Sequence, residues 1–458
     1  MKPQLPHPRY KIDLLTKSSV RTELFTFILQ LFRFRSALFF IFYKITIFEK
    51  RKPKNQKTMK KIALLMLATV LAVGVQAQPK KPHTYKNPTP GEMPILGWFS
   101  LLGEQVTHER YLEMAEAGFN ISFSHMYTIG EVQDALEAAK DSGVKVLVMA
   151  GSLGAGMEEA VKISKEHPST AGYFLRDEPT AAEFAELKDM AQRIRTIDDD
   201  KLLYLNLFPT YVSADHLQTK NYTEYVRRFI KEVGLGMVSF DHYPVTFDGL
   251  RKDFYANLEV IAHEAKRADV PFWAFALSTA HDPYPVPTRE ALRLQIFSNL
   301  AYGAQGIQYF TYTTPLGTHW NFHNAPIDEN DQRSDVYYLV KELNERVQGL
   351  SHIWLGAEVV ALGHTGKRIP KDTKRLKQLP KGIKSIDSNG IGLLVSHLKN
   401  GRKEYLMVVN RDLEKMQKVT LECEKKIKQI VNGGKKKGVS SKGEKYKLEA
   451  GDMLLFEL

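Results

Sequence analysis

The sequence predicts an α/β chain, a (β/α)8 TIM barrel followed by a small C-terminal all-β sandwich domain. Three observations predict it. Between residues 94 and 350, eight apolar runs alternate with amphipathic segments. Glycines stand where those amphipathic segments should end as helices. Past residue 351 the rhythm shortens to brief alternating runs separated by Gly, Asn and Lys clusters. Eight strand–helix units in about 260 residues is the size and rhythm of a closed barrel. An open doubly wound sheet is the alternative, but no Gly-rich phosphate turn follows the first run.

The eight strand candidates are 94–101, 120–126, 145–151, 171–178, 202–208, 237–243, 271–278 and 306–313. Each carries three or more apolar residues, many β-branched or aromatic, as strands buried on both faces require. The helical segments are 109–117, 129–142, 157–167, 181–197, 222–233, 250–268, 289–302 and 335–350. Gly118, Gly143, Gly234 and Gly303 occupy the positions of left-handed C-terminal caps. In the last hundred residues the runs 392–396, 404–410, 418–421, 427–431, 445–448 and 453–458 read as sandwich strands. The lysines around 433–437 read as a solvated hairpin tip.

The 458 residues divide into a probable upstream extension at 1–58, a signal peptide at 59–77, a linker at 78–90, a barrel at 91–350 and a sandwich at 351–458. The signal is Met59-Lys60-Lys61, an apolar run to Val75 and the small-residue site Val75-Gln76-Ala77, so Met59 is the expected start and export the expected fate. The net charge of +12 misleads. Residues 1–58 hold 13 Lys/Arg against 3 Asp/Glu, whereas 79–458 holds 49 of each sign. The folded body is neutral and carries no footprint for nucleic acid. Apolar pieces within 26–48 are broken by Arg33, Arg35 and Lys44, so no membrane span is expected. Cys423 is the only cysteine and allows no internal disulfide.

The chain is organised around 172–179, read Gly-Tyr-Phe-Leu-Arg-Asp-Glu-Pro. An apolar strand there ends in Asp177 and Glu178, and Pro179 stops it. Carboxylates at a strand's C-terminal tip sit where barrel enzymes keep their chemistry. The other strand tips add Trp98, His125 and Tyr127, Asn206, then Asp241, His242 and Tyr243. Trp273 and Asp282 come with the seventh strand, and Tyr309, Tyr312 and Trp320 with the eighth. Aromatic faces stack on sugar rings and planar polar groups bind their hydroxyls, so this set suits a carbohydrate. A spacing of His319 and His323 in a loop lacks the helical Glu of zinc proteases, and neither metal nor cofactor is expected.

Glu178-Pro179 after an apolar fourth strand resembles the Asn-Glu-Pro signature of the clan A barrel glycoside hydrolases. Asp241-His242-Tyr243-Pro244 is similar to that clan's sixth-strand segment. The stretch from Ser298 to Ile307, followed by Tyr309-Phe310, is similar to the approach to strand eight in family 42 β-galactosidases. The resemblance implies a glycoside hydrolase with Glu178 as general acid/base and Tyr243 beside the nucleophile. Two departures stand out. Asp177 replaces the signature Asn, and 272–279 contains no acid where the clan keeps its nucleophile.

Hydrolysis of a glycoside normally needs a protonated carboxyl and a second carboxylate as nucleophile or water base. Glu178 takes the acid role, with ionised Asp177 helping to keep its proton in place. Asp241 at the sixth-strand tip is the favoured second carboxylate, oriented by His242 and Tyr243; a structural hydrogen bond at the barrel rim is its plain alternative. Asp282 is the reserve candidate. Substrate-assisted hydrolysis of an N-acetylated sugar is a third route. The expected partner is a poly- or oligosaccharide, and the competing function is a non-catalytic carbohydrate-binding barrel.

Overall fold

The computed structural model describes residues 84–458 apart from Lys442. The expected extension 1–58, the signal peptide 59–77 and the first residues of the linker lie outside the described residues.

The barrel strands are β1 (Ile95–Trp98), β2 (Ile121–Phe123), β3 (Lys145–Met149), β4 (Thr170–Asp177), β5 (Leu202–Asn206), β6 (Val238–Phe240), β7 (Phe272–Leu277) and β8 (Ile307–Phe310). The helices following them are α1 (His108–Glu116), α2 (Ile129–Ala139), α3 (Met157–Ser164), α4 (Phe184–Arg195), α5 (Tyr222–Glu232), α6 (Phe254–Ala268), α7 (Arg289–Ala301) and α8 (Asp335–Gly349). The parallel sheet runs β5-β4-β3-β2-β1-β8-β7-β6. It closes where Leu207 bridges Phe240 and the Leu207 amide donates to the Ser239 carbonyl at 2.9 Å. Thr107, Thr128, Asn221, Thr288 and Ser334 cap helices by accepting amide hydrogen bonds, each satisfying a donor the helix leaves open.

The strands are shorter than the apolar runs that predict them. β6 stops at Phe240 because Asp241, His242 and Tyr243 leave the ladder to form the rim, ahead of Pro244. β4 ends at Asp177, and the Glu178 amide still donates to the Asn206 carbonyl at 2.9 Å. Inside the barrel the rings of Trp98, Phe123, Phe174, Tyr204, Phe275 and Trp273 fill the lumen in contacting layers, so it is a packed core rather than a pore. Trp273 is the lowest of these rings, fully buried. Its indole N–H donates to Tyr85 Oη at 3.3 Å, where the incoming chain passes beneath the barrel. Gly306 is required there, because a Cβ would lie 2.6 Å from the Trp273 ring. Trp273→Ala is expected to cost about 3–5 kcal/mol. Chemical denaturation checks it, and a loss below about 1 kcal/mol would contradict this packing.

The C-terminal region contains β9 (Glu358–His364), β10 (Ile383–Ser388), β11 (Leu393–Asn400), β12 (Lys403–Asn410), β13 (Gln417–Cys423), β14 (Ile427–Ile430), β15 (Lys436–Val439), β16 (Glu444–Leu448) and β17 (Met453–Glu457). They form a six-stranded sheet, β9-β11-β12-β17-β14-β15, and a three-stranded sheet, β10-β13-β16. The six expected runs are present, and β9, β10 and β15 are additions. β15 is a Lys-Lys-Gly-Val edge strand with almost no apolar signal, held by pairing with β14 and by Lys436 against Glu457 at 2.7 Å. The lysine cluster therefore lies partly in this returning strand and not only at the hairpin tip. Leu394, Leu398, Tyr405, Met407, Val409 and Leu455 join the same apolar core as the barrel, and α7, buried along most of its length, packs against β11 and β12.

Candidate active site

At the C-terminal ends of the barrel strands lies a cleft of about 680 Å³. Asp177, Glu178, Asn206 and Asp241 stand on one side of it. Trp98, Tyr243, Phe275 and Phe310 supply aromatic surface, and the loops after β7 and β8 supply His281, Asp282, Tyr284, His319, Trp320 and Phe322.

The acidic side is built from the backbone outward. Glu178 adopts a left-handed conformation, φ 44°, uncommon for a residue with a side chain. The surroundings hold it there. Tyr225 on α5 donates to the Pro179 carbonyl at 2.6 Å, and Glu183 accepts from the Thr180 amide at 2.8 Å. Such local strain persists where packing over-determines it, commonly at functional sites. Asn206, directly across the sheet from Asp177, donates through Nδ2 to Asp241 at 2.9 Å and to Asp177 at 3.3 Å. Its Oδ1 accepts from Ser239 at 3.0 Å, and Ser239 in turn accepts from Gln308 at 2.9 Å. Tyr204 donates to the Gln308 oxygen. This buried relay fixes the amide so that its N–H groups face the two carboxylates.

Glu178 and Asp241 lie close enough for each carboxyl to act on the titration of the other. Both carboxyls are held above their ordinary range, first by removal from water. For Glu178 the charges of Asp241 and Asp177 add to this, so Glu178 is the member that keeps the proton. Asn206 and Tyr243 hydrogen-bond to Asp241 and favour its ionised form. Asp177 is also raised, by its protein surroundings and then by Asp241. Its side chain is nevertheless open to the water of the cleft, which moderates the first of these effects.

The opposite wall is aromatic. Tyr243 packs against Phe310 with ring centroids 5.3 Å apart, and the Arg251 guanidinium lies 4.7 Å over the ring of Tyr211. His281 is only 8 % exposed, set between Tyr284 and Phe322, and its Nδ1 finds no hydrogen-bond partner among the described residues. Burial pushes its pKa down to about 4, so the ring is neutral near pH 7. The loop after β8 is stitched to the exit of β7 by paired backbone bonds between Ala280 and His323, which sets Trp320, 50 % exposed, at the mouth. Among the described residues, no group of three or more His, Cys, Asp or Glu is placed to hold a metal ion.

Of the residues singled out in the sequence, Trp98, Asp177, Glu178, Asn206, Asp241, Tyr243, Asp282 and Trp320 meet in this cleft. The others do not line it. Tyr309 points outward to Asn344 at 2.7 Å, and Tyr312 packs outward on Phe119. Strand alternation explains Tyr309, because inward on β8 are Gln308 and Phe310; Tyr312 lies past the end of the strand. Trp273 shares its face of β7 with Phe275 but lies a layer below the cleft. His242 turns away to Asp253, 3.4 Å off, and packs on Tyr211 and Phe254. His125 sits between Phe99 and exposed Tyr127, outside the cleft wall. Phe275 and Phe310 were legible from the same alternation. Tyr211 and Tyr284, on loops, carried no sequence signal.

Residues 180–350 match the family model described as Glyco_hydro_42, beta-galactosidase. The matched stretch begins just after Glu178 and includes Asp241 and Tyr243. The fold is similar to that of a β-galactosidase from Bacillus circulans sp. alkalophilus, with a TM-score of 0.56 and 9 % identity, covering 80 % of this chain and 99 % of that one. It is also similar to Gan42B, a GH42 β-galactosidase from G. stearothermophilus, with a TM-score of 0.54 and 10 % identity, covering 82 % and 99 %. No curated protein matches the chain in sequence. With a barrel of this kind and a family match across its second half, the chain is a glycoside hydrolase that resembles the family 42 β-galactosidases.

Proposed function

We propose that this is an exported enzyme that cleaves O-glycosidic bonds of a poly- or oligosaccharide, with Glu178 as its general acid. The observation that carries the assignment is the position of Glu178 at the tip of β4, beside Asp177 and Asp241 and facing an aromatic-walled cleft, where burial and those two charges hold its carboxyl above the ordinary range. A carboxyl kept protonated near neutral pH is what leaving-group departure needs. Asp241 is the second carboxylate of the site. It neighbours Glu178, and its charge favours the protonated form of that acid. Its role is to keep the proton on Glu178 until the leaving group takes it. Asp177, Asn206, Trp98, Tyr243 and Trp320 contact the sugar. Export rests on the segment 59–77.

The test is a panel of polysaccharides and aryl glycosides, galactosides first in view of the family match, assayed with residues 78–458. Sugar release by the wild type and its loss in Glu178→Gln is the expected result. The missing acid at the tip of β7 favours one competitor, a binding protein without turnover. Glycan-induced thermal stabilisation with no product from any substrate would establish that competitor instead.

A further inference from the structure

We infer that the sugar placed against Glu178 carries a 2-acetamido group, that its carbonyl oxygen is the nucleophile, and that Asp177 holds its N–H. The inference rests on the hydrolase reading above and names its substrate class.

It follows from where the cleft's carboxylates are. Asp241 is only 6 % exposed, is engaged by Asn206 and lies against the acid itself. It has no line to an anomeric carbon that Glu178 also serves. Asp282 belongs to the loop beyond β7, where its backbone N–H donates to Asn321 at 2.9 Å and its carboxylate accepts from the same residue at 3.3 Å. At the tip of β7 itself, Ser278 and Thr279 are fully buried and spend their hydroxyls on the carbonyls of Thr311, at 2.7 Å, and His323, at 3.2 Å. Among the described residues no carboxylate stands at the tip of β7 to attack from the protein side.

Asp177 is the carboxylate that remains open. It adjoins the acid in sequence, faces the cleft, and is held by Asn206 on one oxygen. A carboxylate there accepts the acetamido N–H, turns the carbonyl oxygen toward the anomeric carbon and offsets the positive charge that develops on ring closure. The acetyl methyl needs an apolar bed, which Trp98 and Phe275 supply, with ring centroids 5.4 Å apart.

The step balances. Glu178 gives its proton to the glycosidic oxygen as the bond from that oxygen to the anomeric carbon breaks. The carbonyl oxygen forms the new bond to that carbon, giving an oxazolinium paired with Asp177. Water then attacks the anomeric carbon, passes a proton back to Glu178 and reopens the ring to the acetamide. The geometry requires a leaving group trans to the acetamido group.

The experiment compares 4-nitrophenyl N-acetyl-β-glucosaminide and N-acetyl-β-galactosaminide with the matching glucoside and galactoside. The expected result is at least a 100-fold preference in kcat/KM for one acetamido substrate. The rate should fall steeply when its acetyl group is trifluorinated, and the corresponding thiazoline should inhibit competitively. Asp177→Asn should lower kcat about 100-fold or more while leaving thermal stability near that of the wild type. Equal or better turnover of the 2-hydroxy glycosides, or a covalent adduct with a 2-fluoro glycoside, overturns the inference and leaves the hydrolase reading standing. Failure to cleave any glycoside overturns both.

Discussion

Glu178→Gln is expected to reduce turnover of glycosides with ordinary alcohol leaving groups by about 10²- to 10⁴-fold, the usual contribution of a general acid. The amide keeps the size and the left-handed backbone of Glu178 and can still hydrogen-bond to Asp241, but it has no acidic proton to donate. The loss in kcat/KM, which reports the departure step alone, should shrink toward none with a 2,4-dinitrophenyl leaving group, which departs without protonation. That contrast separates a missing acid from a collapsed cleft, since a collapsed cleft would slow both substrates alike. A variant equally impaired on both would remove Glu178 from the acid role. The wild-type rate should also fall on the alkaline side as Glu178 loses its proton, and the variant should lack that limb.

The same substitution is expected to stabilise the protein above neutral pH. Glu178 and Asp241 have folded-state pKa values raised above those of the unfolded chain, near 4. The folded chain therefore binds more protons, and stability falls as pH rises from about 4 through the folded pKa values. Buried His242 and His281 are shifted downward and act in the opposite sense, but only below about pH 6.5, where unfolded histidine takes up protons. Between about pH 7 and 9 the carboxyl pair dominates. Melting curves should show the wild type losing stability across that interval, and Glu178→Gln losing less. At the upper end the variant should melt higher, by roughly 1–2 °C for each kcal/mol of relief in a folded unit of this length. Equal slopes would mean that the pair holds no proton there.

Apolar period and glycine placement made the barrel legible, because its strands are buried on both faces and its helices, α7 apart, on one. The sheet ends were read one to three residues too long. In 237–243 and 120–126 the expected strand continues past the last ladder pair into the rim, where the chain stays extended without pairing. β10 and β15 stayed hidden because edge and outer-sheet strands carry Lys, Ser and Gly, their order coming from partners rather than from their own residues. In the cleft, the carboxylates were legible from Pro179 and Pro244, which fix where strands end. The aromatic wall was half legible. Parity on β8 separates Phe310 from Tyr309, whereas His281 and Tyr284 reach the cleft through a loop whose path no period describes.

The helix α7 presents one side to β7 and the other to the C-terminal sheets, and Gly451 comes so close to the Glu290 carbonyl that a Cβ there would lie 2.3 Å from it. The sandwich thus serves as the outer insulation of one sector of the barrel, and the apolar side of α7 has no polar alternative to offer water. Chain segments joined in this way are inherited, expressed and lost together. The barrel cannot be excised as a portable catalytic module, and grafting its cleft onto another protein requires carrying the last hundred residues with it.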